Sequence, residues 1–201
     1  MSSRLNTVEF LAMNNPVRRA LQRRFEMPAF EGLLKKAKID LKEKRILDAG
    51  CGSGYGVELI QQTFHPSRLV GFDLMPEQVE RAKARKVPGA ELKVGDITKI
   101  EAENGSFDAV FVFGILHHVP AWREALKEIA RVLAPGGVLL DEEIHGTAVR
   151  AQDTVFRTSH PKEAAFDWPT FRKAMRQAGL SILHERRLVG EAARSFLARK
   201  E

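Results

Sequence analysis

Cysteine is nearly missing from this sequence: Cys51 stands alone among 201 residues. No internal disulfide can form, which fits a reducing compartment. Long apolar runs are missing too. No stretch approaches about twenty consecutive apolar residues, and the N-terminal region has no apolar run beside a small-residue cleavage site. Neither a membrane span nor a secretory leader is expected, and the expected location is cytoplasmic. There is no internal repeat and no low-complexity tract, which excludes solenoids and composition-driven disorder. What remains is a chain with 44% hydrophobic residues. Its length suits a single domain spanning 1–201 with one well-buried core.

The formal charge of +6 is unevenly placed. Residues 1–45 hold eleven Lys or Arg against five Asp or Glu, whereas the rest of the chain holds twenty-one of each. The excess therefore lies in a segment that reads as helical over 1–38, with a break at Met27-Pro28. Val17, Leu21 and Phe25 recur every four residues with Arg18, Arg19, Arg23 and Arg24 between them, so one face is apolar and the other basic. Such a helix suits an anionic membrane surface as a peripheral contact. It suits RNA phosphates equally, or it serves as a lid.

From residue 44 the pattern becomes short apolar runs alternating with helical stretches, the mark of a parallel sheet with crossovers. Strands are expected at 45–49, 68–72, 91–95, 108–113 and 137–142, and helices near 54–63, 76–86 and 121–133. Residues 147–167 lack a clear period and read as an irregular segment, and loops of that length are more often lids or substrate elements than passive connections. A helix over Pro169–Ala178 should stop at Gly179. Leu180–Lys200 reads as an antiparallel hairpin around Gly190. The fold class is thus α/β: a Rossmann-like, seven-stranded, mostly parallel sheet with an antiparallel C-terminal hairpin and helices on both faces. The single domain divides into residues 1–40, a helical lid; 41–145, the sheet core; and 146–201, the irregular segment and hairpin.

The chemistry concentrates at Ile46-Leu47-Asp48-Ala49-Gly50-Cys51-Gly52-Ser53-Gly54-Tyr55-Gly56, an apolar strand running into a glycine loop that opens a helix. Glycines are needed where backbone turns tightly against a ligand. A dinucleotide loop requires Gly-x-Gly-x-x-Gly, and a triphosphate loop requires Lys followed by Ser or Thr. Neither is present. The loop resembles the first motif of class I S-adenosylmethionine-dependent methyltransferases, acidic-x-Gly-x-Gly-x-Gly. Asp73 then ends the second strand, where a carboxylate can accept from ribose hydroxyls, and Gly95-Asp96-Ile97 ends the third. Phe107-Asp108-Ala109-Val110-Phe111-Val112-Phe113-Gly114 resembles the fourth strand, and Val132-Leu133-Ala134-Pro135-Gly136-Gly137 the turn into the fifth. The likeness spans about 45–145. It is nearest to the broad type 11 group that includes quinone-biosynthesis methyltransferases, in which a Leu-His-His-Val-like stretch is common after strand four.

The resemblance implies S-adenosylmethionine as cofactor, held by Asp48, Gly50, Cys51, Gly52, Gly54, Asp73, Leu74, Asp96, Ile97 and Phe113. His117 is the expected catalytic base, because a neutral imidazole titrates near working pH and a distant likeness to cyclopropane-fatty-acid synthases places it against the transferred methyl. His118 is expected to turn inward and support the loop. Asp141, Glu142, Glu143 and His145 cluster at the end of strand five, but their spacing matches no dedicated metal signature, so no metal is expected. Phe113-Gly114-Ile115-Leu116 stands where nucleic-acid amino methylases carry Asn, Asp or Ser before Pro-Pro-aromatic, which disfavours a nucleic-acid acceptor. Phe166, Trp168 and Phe171, joined by Phe25 or Phe30, are expected to line an apolar pocket for a small-molecule or lipid-like acceptor. The alternatives are an RNA methyltransferase and a non-catalytic S-adenosylmethionine-binding protein.

Overall fold

The computed structural model describes residues 15–156 and 160–201; the expected helix over the first fourteen residues lies outside them. Helix α1 (Pro16–Leu21) starts where the Asn15 side chain accepts from the Arg18 amide at 2.8 Å with Pro16 in the first turn, the usual cap chemistry. A π-helical turn, Gln22–Glu26, leads directly into α2 (Met27–Ala37). The chain does not break at Met27-Pro28. Proline has no N–H and its ring crowds the carbonyl four residues back, and the wide π turn, in which the Met27 amide reaches Gln22, accommodates both demands.

Seven strands follow: β1 (Arg45–Ala49), β2 (Arg68–Asp73), β3 (Ala90–Val94), β4 (Phe107–Phe113), β5 (Leu133–Ile144), β6 (Leu180–Val189) and β7 (Ala193–Lys200). The intervening helices are α3 (Tyr55–Phe64), α4 (Pro76–Ala84), α5 (Trp122–Val132), α6 (Gly146–Phe156) and α7 (Trp168–Gln177). The sheet order is β3-β2-β1-β4-β5-β7-β6. β1 to β5 run parallel, and β7 pairs antiparallel with both β5 and β6. The order reverses between β1 and β4. In open sheets of this kind the crevice beyond the carboxyl ends at that switch point is where ligands bind.

Period-two alternation divides the core into two layers. Ile46, Leu69, Phe111, Leu140 and Leu197 face Phe30, Leu33, Val57 and Ile60, while Leu47, Val70, Val112 and Phe196 face Trp122, Leu126, Ile129 and Phe171. Phe166, Trp168 and Phe171 are buried in this second layer, stacked among Trp122 and Phe196. Phe30 lies across the sheet and Phe25 is exposed. These aromatics therefore do not assemble into one acceptor pocket; burial of large rings against both sheet faces outweighs any shared cavity.

Helix α6 replaces part of the expected irregular segment. Its first turn is held by His145, whose carbonyl accepts from Ala148 and Val149 and whose Nδ1 accepts from Thr147 at 3.2 Å.

Candidate active site

The glycine loop is shaped by bonds to β2. Gly50 and Cys51 donate their amides to the Phe72 carbonyl at 2.9 and 2.8 Å, and Gly54 donates to Cys51. All three loop glycines have positive φ. Gly50 is also sterically fixed, since a Cβ there would come within 2.8 Å of Ile115 Cγ1. Gly54 faces away from the cavity: a Cβ would meet Ala82 at 2.7 Å, so this glycine lets α4 pack close. At Gly52 a Cβ would meet nothing within 4 Å. Arg85 clamps the loop from outside, donating to the Ser53 carbonyl at 2.6 Å and to Glu58 at 2.9 Å.

Asp73 sits at the end of β2 with both oxygens committed to backbone, Oδ2 accepting from Gly52 at 2.9 Å and Oδ1 from Met75 at 2.9 Å. The loop and the carboxylate thereby fix each other. A cavity opens beside them, walled by Phe72, Leu74, Met75, Gly95, Ile97, Ile115 and His118. A second cavity, walled by Asp48, Cys51, Tyr55, Phe113 and Arg18, shares Gly50, Gly52 and Gln78 with the first. Gln78 divides them. It is 2% exposed, on a helix whose other buried residues are Val79 and Ala82, and no sequence pattern singled it out.

Asp48 is fully buried, and neither of its oxygens has a partner among the described residues. Burial, reinforced by the nearby Asp73 carboxylate, pushes its titration up to about 8. Asp96, by contrast, uses Oδ1 to accept from the amide and hydroxyl of Thr98, both at 2.8 Å. It stands outside both cavity walls, one residue from Ile97.

After β4 a single 3-10 turn, Leu116–His118, carries the two histidines. Glu143 of β5 governs it. Its Oε1 accepts from the Ile115 and Leu116 amides at 3.0 and 2.7 Å, and its Oε2 lies 2.7 Å from His117 Nδ1. His117 is buried behind the turn on this carboxylate, and His118 is the ring at the cavity wall. The two neighbours thus occupy the reverse of the positions expected from sequence. Burial raises Glu143 to about 8 despite the opposing pull of backbone amides. Burial first, and then His117 and His160, hold His118 well below the ordinary imidazole range, so its ring is neutral. Strand alternation turns Glu142 to the opposite face, toward Glu26 and Arg18. Arg18 bridges that region: it is paired with Glu26 and donates to the Phe113 carbonyl at 3.3 Å. Sequence reading placed Arg18 on a basic outer face and missed this role. His145 lies apart, bonded to Thr147.

Comparison with known proteins agrees with this architecture. Residues 47–140 match the family described as methyltransferase domain. A fatty-acid O-methyltransferase of Mycolicibacterium smegmatis is 30% identical over 161 residues, 80% of this chain and 52% of that protein. The phthiotriol/phenolphthiotriol dimycocerosates methyltransferase of Mycobacterium leprae is 36% identical over 102 residues, 50% of this chain and 38% of that protein. The chain thus spans about half or less of the length of these curated relatives. Among solved structures, a SAM dependent methyltransferase from Aquifex aeolicus superposes with a TM-score of 0.75 at 18% identity, covering 98% of this chain and 100% of that one. The glycine loop on β1 and the acidic end of β2 fall within the stretch, residues 47–140, that matches the methyltransferase domain, and over 80% of its length the chain is similar to a fatty-acid O-methyltransferase.

Proposed function

We propose that this protein transfers the methyl group of S-adenosylmethionine to an oxygen of a lipid-like acceptor. The observation that carries the reading is the pair of cavities joined at a bare glycine loop, one apolar beside Asp73 and one holding the orphaned Asp48 carboxylate. This pair fits the cofactor. Asp73 would accept from the ribose hydroxyls, Leu74 and Ile97 would sandwich the adenine, and Asp96 would take its exocyclic amine. Gly50, Cys51, Gly52 and Phe113 would enclose the methionine end, with Gly54 setting the loop against α4. Asp48 would face the ammonium group, which gives its unpartnered oxygens a donor. When bound, the cofactor supplies a methyl carbon on a sulfonium sulfur, open to in-line displacement.

The chain's own contribution is alignment and exclusion of water. Ile115 and His118 form the wall nearest the acceptor, and His117 acts through Glu143 as a positioning residue that sets that wall. An ionised carboxylate acceptor needs no base. One curated relative is named for a fatty acid and the other for phthiotriol/phenolphthiotriol dimycocerosates, which supports the lipid class. The exposed Val17, Leu21 and Phe25 beside Arg23 and Arg24 support delivery from an anionic lipid surface. No helix of the described residues is long and apolar enough to cross a membrane.

Incubating the protein with methyl-labelled cofactor and separate panels of long-chain fatty acids, long-chain alcohols, polar amines and RNA tests this. Label should enter the organic phase as an ester or ether, faster when the acceptor is carried in anionic vesicles. Label confined to amines or RNA overturns the reading.

Asp48 also gives a pH prediction. Its titration is raised in the folded state from an ordinary 3.8 to about 8, so the stability linked to it is complete below the unfolded value and is lost as pH rises through about 8. The groups around it are the Asp73 carboxylate, Cys51, Arg18 and Tyr55. Asp48→Asn is expected to melt several degrees above wild type at pH 8.5, by a margin that narrows steadily as pH falls toward 4, the change being on the order of a few kcal/mol. Thermal melts of cofactor-free protein across that range check it; a constant offset between the two proteins contradicts it.

A further inference from the structure

Three histidines meet beside the cofactor cavity, although 43 positions separate the first from the last. His117 and His118 come from the turn after β4, and His160 from the segment beyond α6. Their ring centroids lie 4.3, 4.5 and 5.5 Å apart, and one nitrogen from each lies within 4.8 Å of the others. Two of the rings are anchored at the far side by carboxylates. Glu143 Oε2 holds His117 Nδ1 at 2.7 Å, and Asp153 Oδ1 holds His160 Nδ1 at 2.5 Å. A carboxylate on Nδ1 orients an imidazole and raises the basicity of Nε2, the arrangement found behind metal-ligating histidines.

His160 supplies an independent observation. Its side chain is 1% exposed, and its Nε2 has no hydrogen-bond partner among the described residues. A buried polar nitrogen left unmade costs about 1–3 kcal/mol, and packing of neutral rings alone does not remove that cost. A metal ion does.

We infer that His117, His118 and His160 form a binding site for a first-row divalent ion of the zinc class. Imidazole ligands suit that class, and the set contains none of the oxygen ligands that magnesium or calcium would demand. Tetrahedral bonds of about 2.1 Å place ligand nitrogens about 3.4 Å apart, so the rings close on the ion by side-chain rotations of roughly an ångström. Three protein ligands leave one position for water or an acceptor oxygen, and His118 places the site at the cavity wall.

The test needs no turnover, so its failure and failure of the methyl-transfer reading are separable. The full chain, stripped with a chelator, is titrated with Co2+ and then Zn2+. One equivalent of Co2+ should bind with visible ligand-field absorption, be displaced by Zn2+, and raise the melting temperature. His160→Ala should lower Co2+ affinity at least tenfold while S-adenosylmethionine affinity stays within about twofold, which shows that the variant is folded. Asp153→Asn, at a partly exposed position, should lower it 10–100-fold and keeps the test decisive if His160→Ala does not fold. Absence of Co2+ absorption and of any melting shift in wild type overturns the site. So does unchanged affinity in the folded variants.

Discussion

Replacing Asp73 by alanine is expected to weaken S-adenosylmethionine binding at least a hundredfold. The carboxylate stands where two ribose hydroxyls would donate, and charge-assisted bonds of that kind contribute roughly 1.5–3 kcal/mol each. The substitution also strips the Gly52 and Met75 amides of their acceptor, so the loop that cradles the cofactor loses its tie to β2. Asp73→Asn separates the two effects. Its carbonyl can still accept one of those backbone bonds, so the loop should be largely retained while the charge is lost, and the affinity loss should be intermediate. Calorimetry measures both, and unchanged affinity in Asp73→Ala would remove Asp73 from the site.

Glu143→Ala should have the largest effect on stability. It leaves the Ile115 and Leu116 amides and the His117 ring buried without their acceptor. Removing one member of such a buried network typically costs about 3–5 kcal/mol, or a fall in melting temperature of about 10 °C for a chain of this size. Turnover should collapse with it, because the turn bearing His118 is no longer held. Glu143→Gln is the informative companion. One amide oxygen can still serve the Ile115 and Leu116 amides, but the amide nitrogen facing His117 Nδ1 donates, so the imidazole must carry its proton on Nε2. This variant should fold, keep its cofactor affinity and retain most of the turnover that Glu143→Ala loses, because the turn stays held. A Glu143→Ala protein that melts within about 1 kcal/mol of wild type would show that the carboxylate does not hold the turn.

Much of this architecture could be read before the structure. Ile46, Leu47 and their partners on β2 and β4 form continuous apolar runs because both faces of the sheet are covered, and the glycine spacing marked the loop. Features governed by contacts distant in sequence were not legible. Pro28 signals a break, and only the π turn before it explains why the helix continues. Helix α6 shows little apolar period because Val149 is its one apolar side chain known to be buried, and its cap is an imidazole rather than a Ser, Thr, Asp or Asn.

The site shows the same division. Adjacent residues in a 3-10 turn point in different directions, and no local pattern says which will be taken by a carboxylate 26 positions away in β5. His117 and His118 therefore exchanged expected positions. The period of Val17, Leu21 and Phe25 was correctly legible as a stripe. Its exposure was not, because period alone fixes a face and not what that face meets. His160 carried no local motif at all; its meaning comes from the fold bringing it to a turn on β4.

A crystal structure of the chain grown with S-adenosylhomocysteine tests the central claim most directly. The account predicts ribose hydroxyls on Asp73, adenine between Leu74 and Ile97, and the amino group beside Asp48. A ligand bound elsewhere, or an Asp48 carboxylate still without a partner in the occupied protein, would contradict it.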